Sequence, residues 1–160
     1  MMSPIPPSSN AINILLVDDS DMFRLMISRD MINKGFEQTS KTTFVRHPLI
    51  IYVVADYASA IDLLRQGSAS HVDFSALFLD WHLSPSDRAN GYDGAQIGVF
   101  ACDATQQPLK PKIYCTSAES KEMRDKIIEG MGSNASEDRV IVADFMIVVD
   151  KILEVGEQLL

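Results

Sequence analysis

Two adjacent carboxylates, Asp18 and Asp19, close the apolar run Ile14-Leu15-Leu16-Val17, and a third, Asp80, closes another, Leu77-Phe78-Leu79. Short apolar runs separated by helical patterns read as buried parallel strands, and in such sheets the carboxyl ends of the strands line the ligand crevice. Folding would then gather acid at one mouth. At a separation of about 4 Å and an effective dielectric of about 20, each pair of like charges costs roughly 4 kcal/mol, so the cluster calls for a cation, a proton or a reaction partner. A hard divalent ion such as Mg²⁺ suits it, because that ion takes oxygen ligands and leaves positions open for a phosphoryl group. Helix capping, open to Asp18, Asp19 or Ser20, accounts for one of these residues. It does not account for a doubled acid at one strand end and a single acid at another.

The elements that must position these groups alternate along the chain. Ile12 to Val17 read as the first strand, and Met22 to Asn33 as a helix with Met22, Leu25, Met26 and Ile32 near helical spacing, stopped by Gly35. A polar stretch, Glu37 to Arg46, reads as a solvated insertion before a second strand, Leu49 to Ala55, and a helix, Ala58 to Arg65, ended by Gly67. Phe74 to Leu79 form the third strand and deliver Asp80, and a loop from Ser84 to Gly94 follows that is long for such a connection. A helix from Ala95 to about Gln106, a turn over Gln107 to Pro111 and a strand from Lys112 to Cys115 lead to Thr116-Ser117. A helix over Glu119 to Met131, a strand over Arg139 to Val142 and a last helix over Phe145 to Leu159 complete the pattern; Phe145, Val148, Val149, Ile152, Val155 and Leu159 share one face. Met123 and Met131 read as packing residues. Right-handed crossovers turn this alternation into an α/β fold: a doubly wound, flavodoxin-like, five-stranded parallel sheet in the order 2-1-3-4-5, with helices on both faces.

With 160 residues the chain fits a single domain, here 11–160 after a proline-bearing, disordered lead-in at 1–10. A net charge of -8 and the lack of any Lys/Arg-rich run argue against binding nucleic acid or an anionic membrane surface. Cys102 and Cys115 sit in apolar contexts without CxxC spacing and read as buried free thiols in a reducing compartment rather than a disulfide or zinc site. With neither a transmembrane run nor a signal-peptide pattern, a cytoplasmic location is expected. His47 and His71 show no ligand spacing.

Four segments, in order, resemble the receiver domains of two-component response regulators, of the chemotaxis-regulator type: ILLVDDSDMFR, SALFLDWHLSP, YDGAQIG and PKIYCTSA. The resemblance covers nearly the whole chain after residue 10. It implies that Asp80 is the phosphoacceptor, taking a phosphoryl group from a histidine kinase or phosphotransfer protein. It implies a Mg²⁺ ion held by Asp19 directly, by Asp18 largely through water, by Asp80 and by the backbone carbonyl of His82. Thr116 would donate its hydroxyl to a phosphoryl oxygen, drawing its loop inward and changing the surface that a downstream protein target reads. The resemblance implies a signalling protein, monomeric or homodimeric, rather than an enzyme beyond its own phosphotransfer and dephosphorylation.

The family's Lys-Pro pair after the last strand is not matched. Aligning RVIVADF with that region puts Ala143 and Asp144 where Lys and Pro belong, with Phe145 agreeing with the aromatic residue that often follows. A second register takes Phe145 to Val149 as the strand and Lys151 as the lysine, but leaves a short final helix; the first register is preferred. Lys110-Pro111 precedes the fourth strand and is a decoy. Arg88, in the long loop, is a candidate substitute cation, and Val140 falls where the family often has an aromatic switch residue. His82, two residues past Asp80, lies where side chains tune water access.

Two alternatives follow. One is a degenerate receiver that docks or dimerises without regard to phosphorylation, favoured by Ala143. The other is a haloacid-dehalogenase-like phosphatase, because Asp19-Ser20-Asp21 satisfies that family's DxD pattern with Asp19 as nucleophile; Phe23 departs from its pattern.

Overall fold

The computed structural model describes residues 11–69, 73–102, 111–131 and 137–159. The lead-in at 1–10, His71, Lys110 and the end of the helix expected to reach Gln106 lie outside them. The central strands are β1 (Ile12–Val17), β4 (Leu49–Val54), β5 (Phe74–Leu79), β6 (Lys112–Cys115) and β7 (Val140–Val142). They run parallel in the spatial order β4-β1-β5-β6-β7, which is the expected 2-1-3-4-5 arrangement.

The sheet has seven strands rather than five. The stretch read as a solvated insertion pairs antiparallel as β2 (Glu37–Gln38) and β3 (Thr43–Arg46), with β3 hydrogen-bonded to β4. Its alternation hid this: of β3 only Phe44 is fully buried, and both residues of β2 are exposed, so the segment carries the polar pattern of an edge.

Every residue of β1 is buried, as a strand covered on both faces requires. Ile12, Ile14 and Leu16 point to the layer formed by α1 (Asp21–Asn33) and α6 (Val148–Leu159), and Leu15 and Val17 to the opposite layer. That second layer contains α2 (Tyr57–Ala69), α4 (Gly94–Cys102) and α5 (Ser120–Met131), with Met123, Ile127 and Met131 buried in it. A short α3 (Pro85–Ala89) interrupts the loop after β5; Ser84 caps it, and proline takes its first position, where a missing N–H costs nothing.

α1 shows how the local sequence sets an element. Ser20 Oγ accepts from the Phe23 N–H at 3.2 Å, satisfying one orphan donor at the start. At the end Gly35 adopts φ +92°, Gly35 N–H bonds Ile32 O and Phe36 N–H bonds Met31 O, the paired bonds of a Schellman stop. The face it buries is not the expected one. Ile27 and Met31 are buried, with Phe23 packed against the same cluster, whereas Met22, Leu25, Met26 and Ile32 are exposed. α2 likewise passes through Gly67 to Ala69: an interior glycine costs only about 1 kcal/mol, which the burial of Ala60, Ile61, Leu63 and Leu64 outweighs.

On α6, Val148, Val149, Ile152 and Val155 are buried as expected, and Leu159 is exposed. Among the described residues no helix is long and apolar enough to cross a membrane.

Candidate functional site

The strand register carries the site. Val17 is paired with both Val54 and Leu79, and Leu79 with Cys115, so the residues that follow β1, β5 and β6 emerge side by side at one edge. Each is held by a backbone bond to the strand beside it: Asp18 N–H to Val54 O at 3.1 Å, Asp80 N–H to Val17 O at 2.9 Å, Thr116 N–H to Leu79 O at 3.0 Å. The carboxylates of Asp18, Asp19 and Asp80 converge, with oxygen atoms of all three within 4.8 Å of one another. Asp18 and Thr116 are buried, and Asp19 and Asp80 are half-buried.

Burial sets the charge state. The Asp80 carboxyl is pushed up to about 7, first by loss of solvent and then by the neighbouring Asp18 and Asp19 charges; the Trp81 N–H at 3.0 Å and the His82 imidazole pull the other way. Asp18 rises to about 6, again mainly by burial, opposed by the Ser20 N–H at 2.8 Å and by Arg24. Arg24 donates to the backbone oxygen of Asp18 at 2.7 Å and pairs with Asp21. Among the described residues, the charged side chains that shift Asp80 are Asp18, Asp19 and His82.

Ala143 directly follows β7, and its N–H bonds Cys115 O at 3.0 Å, just as Thr116 bonds Leu79. It therefore occupies the same rank at the edge as Asp80 and Thr116. The second register fails, because Phe145–Ile147 is a 3-10 turn and Lys151 lies on α6, paired with Glu154 and 5.8 Å from the centre of the Tyr114 ring. Asp144 caps that turn by accepting from Met146 N–H. Arg88 directs its Nε to Leu83 O at 3.2 Å.

His82 is half-exposed; its ring stacks on Trp81, and its Nε2 lies 3.6 Å from Glu119 Oε2. Trp81 Nε1 donates to Asp93 Oδ2 at 3.3 Å. Asp93 also begins α4 with a capping box: Gln96 N–H bonds Asp93 Oδ1, and Asp93 N–H bonds Gln96 Oε1. The Asp-x-x-Gln spacing carried that signal, but nothing in the sequence pointed to the Trp81–Asp93 or His82–Glu119 contacts. A cleft of about 1020 Å³ lies between α1, the loop before β3 and α2; its lining includes Arg24, Tyr57 and Tyr92 but none of the three clustered carboxylates.

No protein-family model and no curated protein matches this sequence. Solved structures do. The signal receiver domain of an HD domain-containing protein from Pseudomonas fluorescens Pf-5 superposes with a TM-score of 0.55 at 15% identity, over 96% of this chain and 93% of that one. The chain has the receiver-domain fold of response regulators.

Two further receiver-fold matches agree. The co-crystal structure of the Saccharomyces cerevisiae histidine phosphotransfer protein Ypd1 with the receiver domain of the response regulator Ssk1 gives a TM-score of 0.56 at 14% identity, over 92% of this chain and 90% of that one. The Salmonella typhimurium RcsB response regulator gives 0.54 at 12% identity; this chain is covered over 93% but spans only 61% of that one. At these identities the likeness is one of fold.

Proposed function

We propose that residues 11–160 form one receiver domain that accepts a phosphoryl group on Asp80 in two-component signalling. The observation that carries the reading is the convergence of Asp18, Asp19 and Asp80 within 4.8 Å at the sheet edge, one strand away from Thr116. The donor set fits a divalent cation: it consists of hard carboxylate oxygens, and two of the acids, Asp18 and Asp80, are pushed toward protonation by burial and by neighbouring carboxylates. Asp18, Asp19, Asp80 and the His82 carbonyl would hold Mg²⁺. When bound, such an ion would neutralise charge on phosphoryl oxygens.

The chain's own residues do the positioning. An Asp80 carboxylate oxygen forms the new O–P bond as the donor's P–N bond breaks; the pair of electrons stays on the donor histidine, which takes a proton from solvent. Trp81 N–H fixes the orientation of the attacking carboxylate. The Thr116 hydroxyl would bond a phosphoryl oxygen. The partners are a histidine kinase or phosphotransfer protein upstream and a protein target downstream. A signalling role, rather than turnover of a substrate, and a cytoplasmic location belong to the same reading.

Ala143 supports a second reading, a docking or dimerisation module in which phosphorylation drives no switch, because an uncharged side chain stands at the edge rank beside Thr116 and a buried anion without a cationic partner is strongly disfavoured. Intact-mass analysis with acetyl phosphate and Mg²⁺ tests the leading proposal: the wild type should gain one phosphoryl group and Asp80→Asn none. A gain by both proteins, or by neither, overturns it.

A further inference from the structure

The connection from Asp80 to α4 is a closed loop. At its base Trp81 N–H donates to Asp80 Oδ1 at 3.0 Å, Trp81 O accepts from Gly94 N–H at 2.8 Å, and the indole bonds Asp93. With its ends tied together, such a loop packs on itself and moves as a unit. Its tip rests on α2. Asp87 Oδ2 accepts from the N–H of Tyr57, the first residue of that helix, at 3.1 Å. The Tyr92 ring stacks on Tyr57 at 4.4 Å with an interplanar angle of 3°, and Tyr92 N–H bonds Asp87 O at 2.9 Å. Asp56 caps α2 locally by accepting from Ser59 N–H at 2.8 Å, and the Tyr57 N–H beside it is held by a side chain thirty residues away in sequence, one that belongs to the Asp80 loop.

The other side of Asp80 offers less. Ala143 brings no charge to the edge, and Val140 is fully buried with no ring to turn in or out.

Resting on the phosphoacceptor reading, we infer that modification of Asp80 is relayed through this strap to the N-terminal end of α2. The base of the strap has two states. In one, Trp81 N–H is held by an ionised carboxylate; in the other, that carboxyl carries phosphorus, is no longer an anion and accepts more weakly. The strap transmits the difference because Trp81, Asp93 and Gly94 close it at one end and Asp87 and Tyr92 fasten it at the other. Tyr57 and Tyr92 also line the cleft of about 1020 Å³, so its wall moves with them.

The test is amide NMR on the full chain, comparing Mg²⁺ alone with Mg²⁺ plus beryllofluoride. Shifts at Asp80 and Thr116 accompanied by shifts at Tyr57, Ala58 and Ser59 are expected. In Asp87→Ala/Tyr92→Ala the Asp80 and Thr116 shifts should remain while those at 57–59 are lost; Tyr92→Phe, which keeps the stacked ring, should retain both. Shifts at Asp80 and Thr116 with none at 57–59 in the wild type overturn the relay and leave the phosphoacceptor reading standing. Shifts at 57–59 of undiminished size in the double variant overturn it too, and no shift anywhere overturns both.

Discussion

A side chain at position 94 has no room beside the backbone of Asp80: a Cβ on Gly94 would lie 1.9 Å from the Asp80 carbonyl oxygen. The start of α4 approaches the end of β5 so closely because Gly94 N–H reaches Trp81 O at 2.8 Å. Only glycine permits this packing.

Gly94→Ala should therefore force α4 away from Asp80 and cost about 3 kcal/mol, at the upper end for overpacking a close contact. Urea unfolding measures the loss. A variant as stable as the wild type would show that the contact at Asp80 is looser than described.

Stability should depend on pH through Asp80. Its folded value, about 7, lies above the ordinary carboxyl value of 3.8, so between these the native state holds a proton that the unfolded chain has released. Stability attributable to this group is then highest at low pH and falls as pH rises toward 7. Asp80→Asn removes the penalty: at pH 8 it should be more stable than the wild type by on the order of 1–2 kcal/mol after solvent screening, with the gap closing toward pH 4. Mg²⁺ should narrow the gap at pH 8 by stabilising the wild type alone. Thermal melts across pH check both, and a pH-independent gap contradicts the assignment.

The two apolar stripes of α1 should differ sharply. Ile27→Ala, in the core, should cost about 2–4 kcal/mol, and Met26→Ala, with Met26 53% exposed, no more than about 0.5 kcal/mol. Equal costs measured by urea denaturation would mean that the helix is rotated from the orientation described.

That pair also shows where the sequence stops being informative. α1 carries apolar residues on two faces, so spacing alone cannot choose between Met22-Leu25-Met26-Ile32 and Phe23-Ile27-Met31; contact with the sheet and α6 decides. The central strands and their order were legible because β1 and β5 close on continuous apolar runs, Ile14–Val17 and Ala76–Leu79, each followed by acid, and that was enough to bring Asp18, Asp19 and Asp80 together. The edge pair β2 and β3 was not, since strands that bury little carry little pattern. β7 has only three residues, too few for periodicity to fix its register, and the bond from Ala143 to Cys115 was needed to set it.

Ala143→Lys should supply the missing cation. An opposite charge within a few ångströms lowers a carboxyl pKa by about 1–3 units, so the Asp80 carboxyl should titrate at lower pH than in the wild type. The beryllofluoride-dependent shift at Thr116 should also grow. Carboxyl-detected NMR titration is the check; an unchanged Asp80 midpoint would place the new ammonium away from the site.

The most direct measurement is to trap the phosphorylated protein with borohydride, which reduces an aspartyl phosphate to homoserine, and to locate that residue by peptide mass spectrometry after treatment with acetyl phosphate and Mg²⁺. Homoserine at position 80 alone is the predicted result. Homoserine at position 19, as the phosphatase alternative requires, or at neither position, would contradict the account.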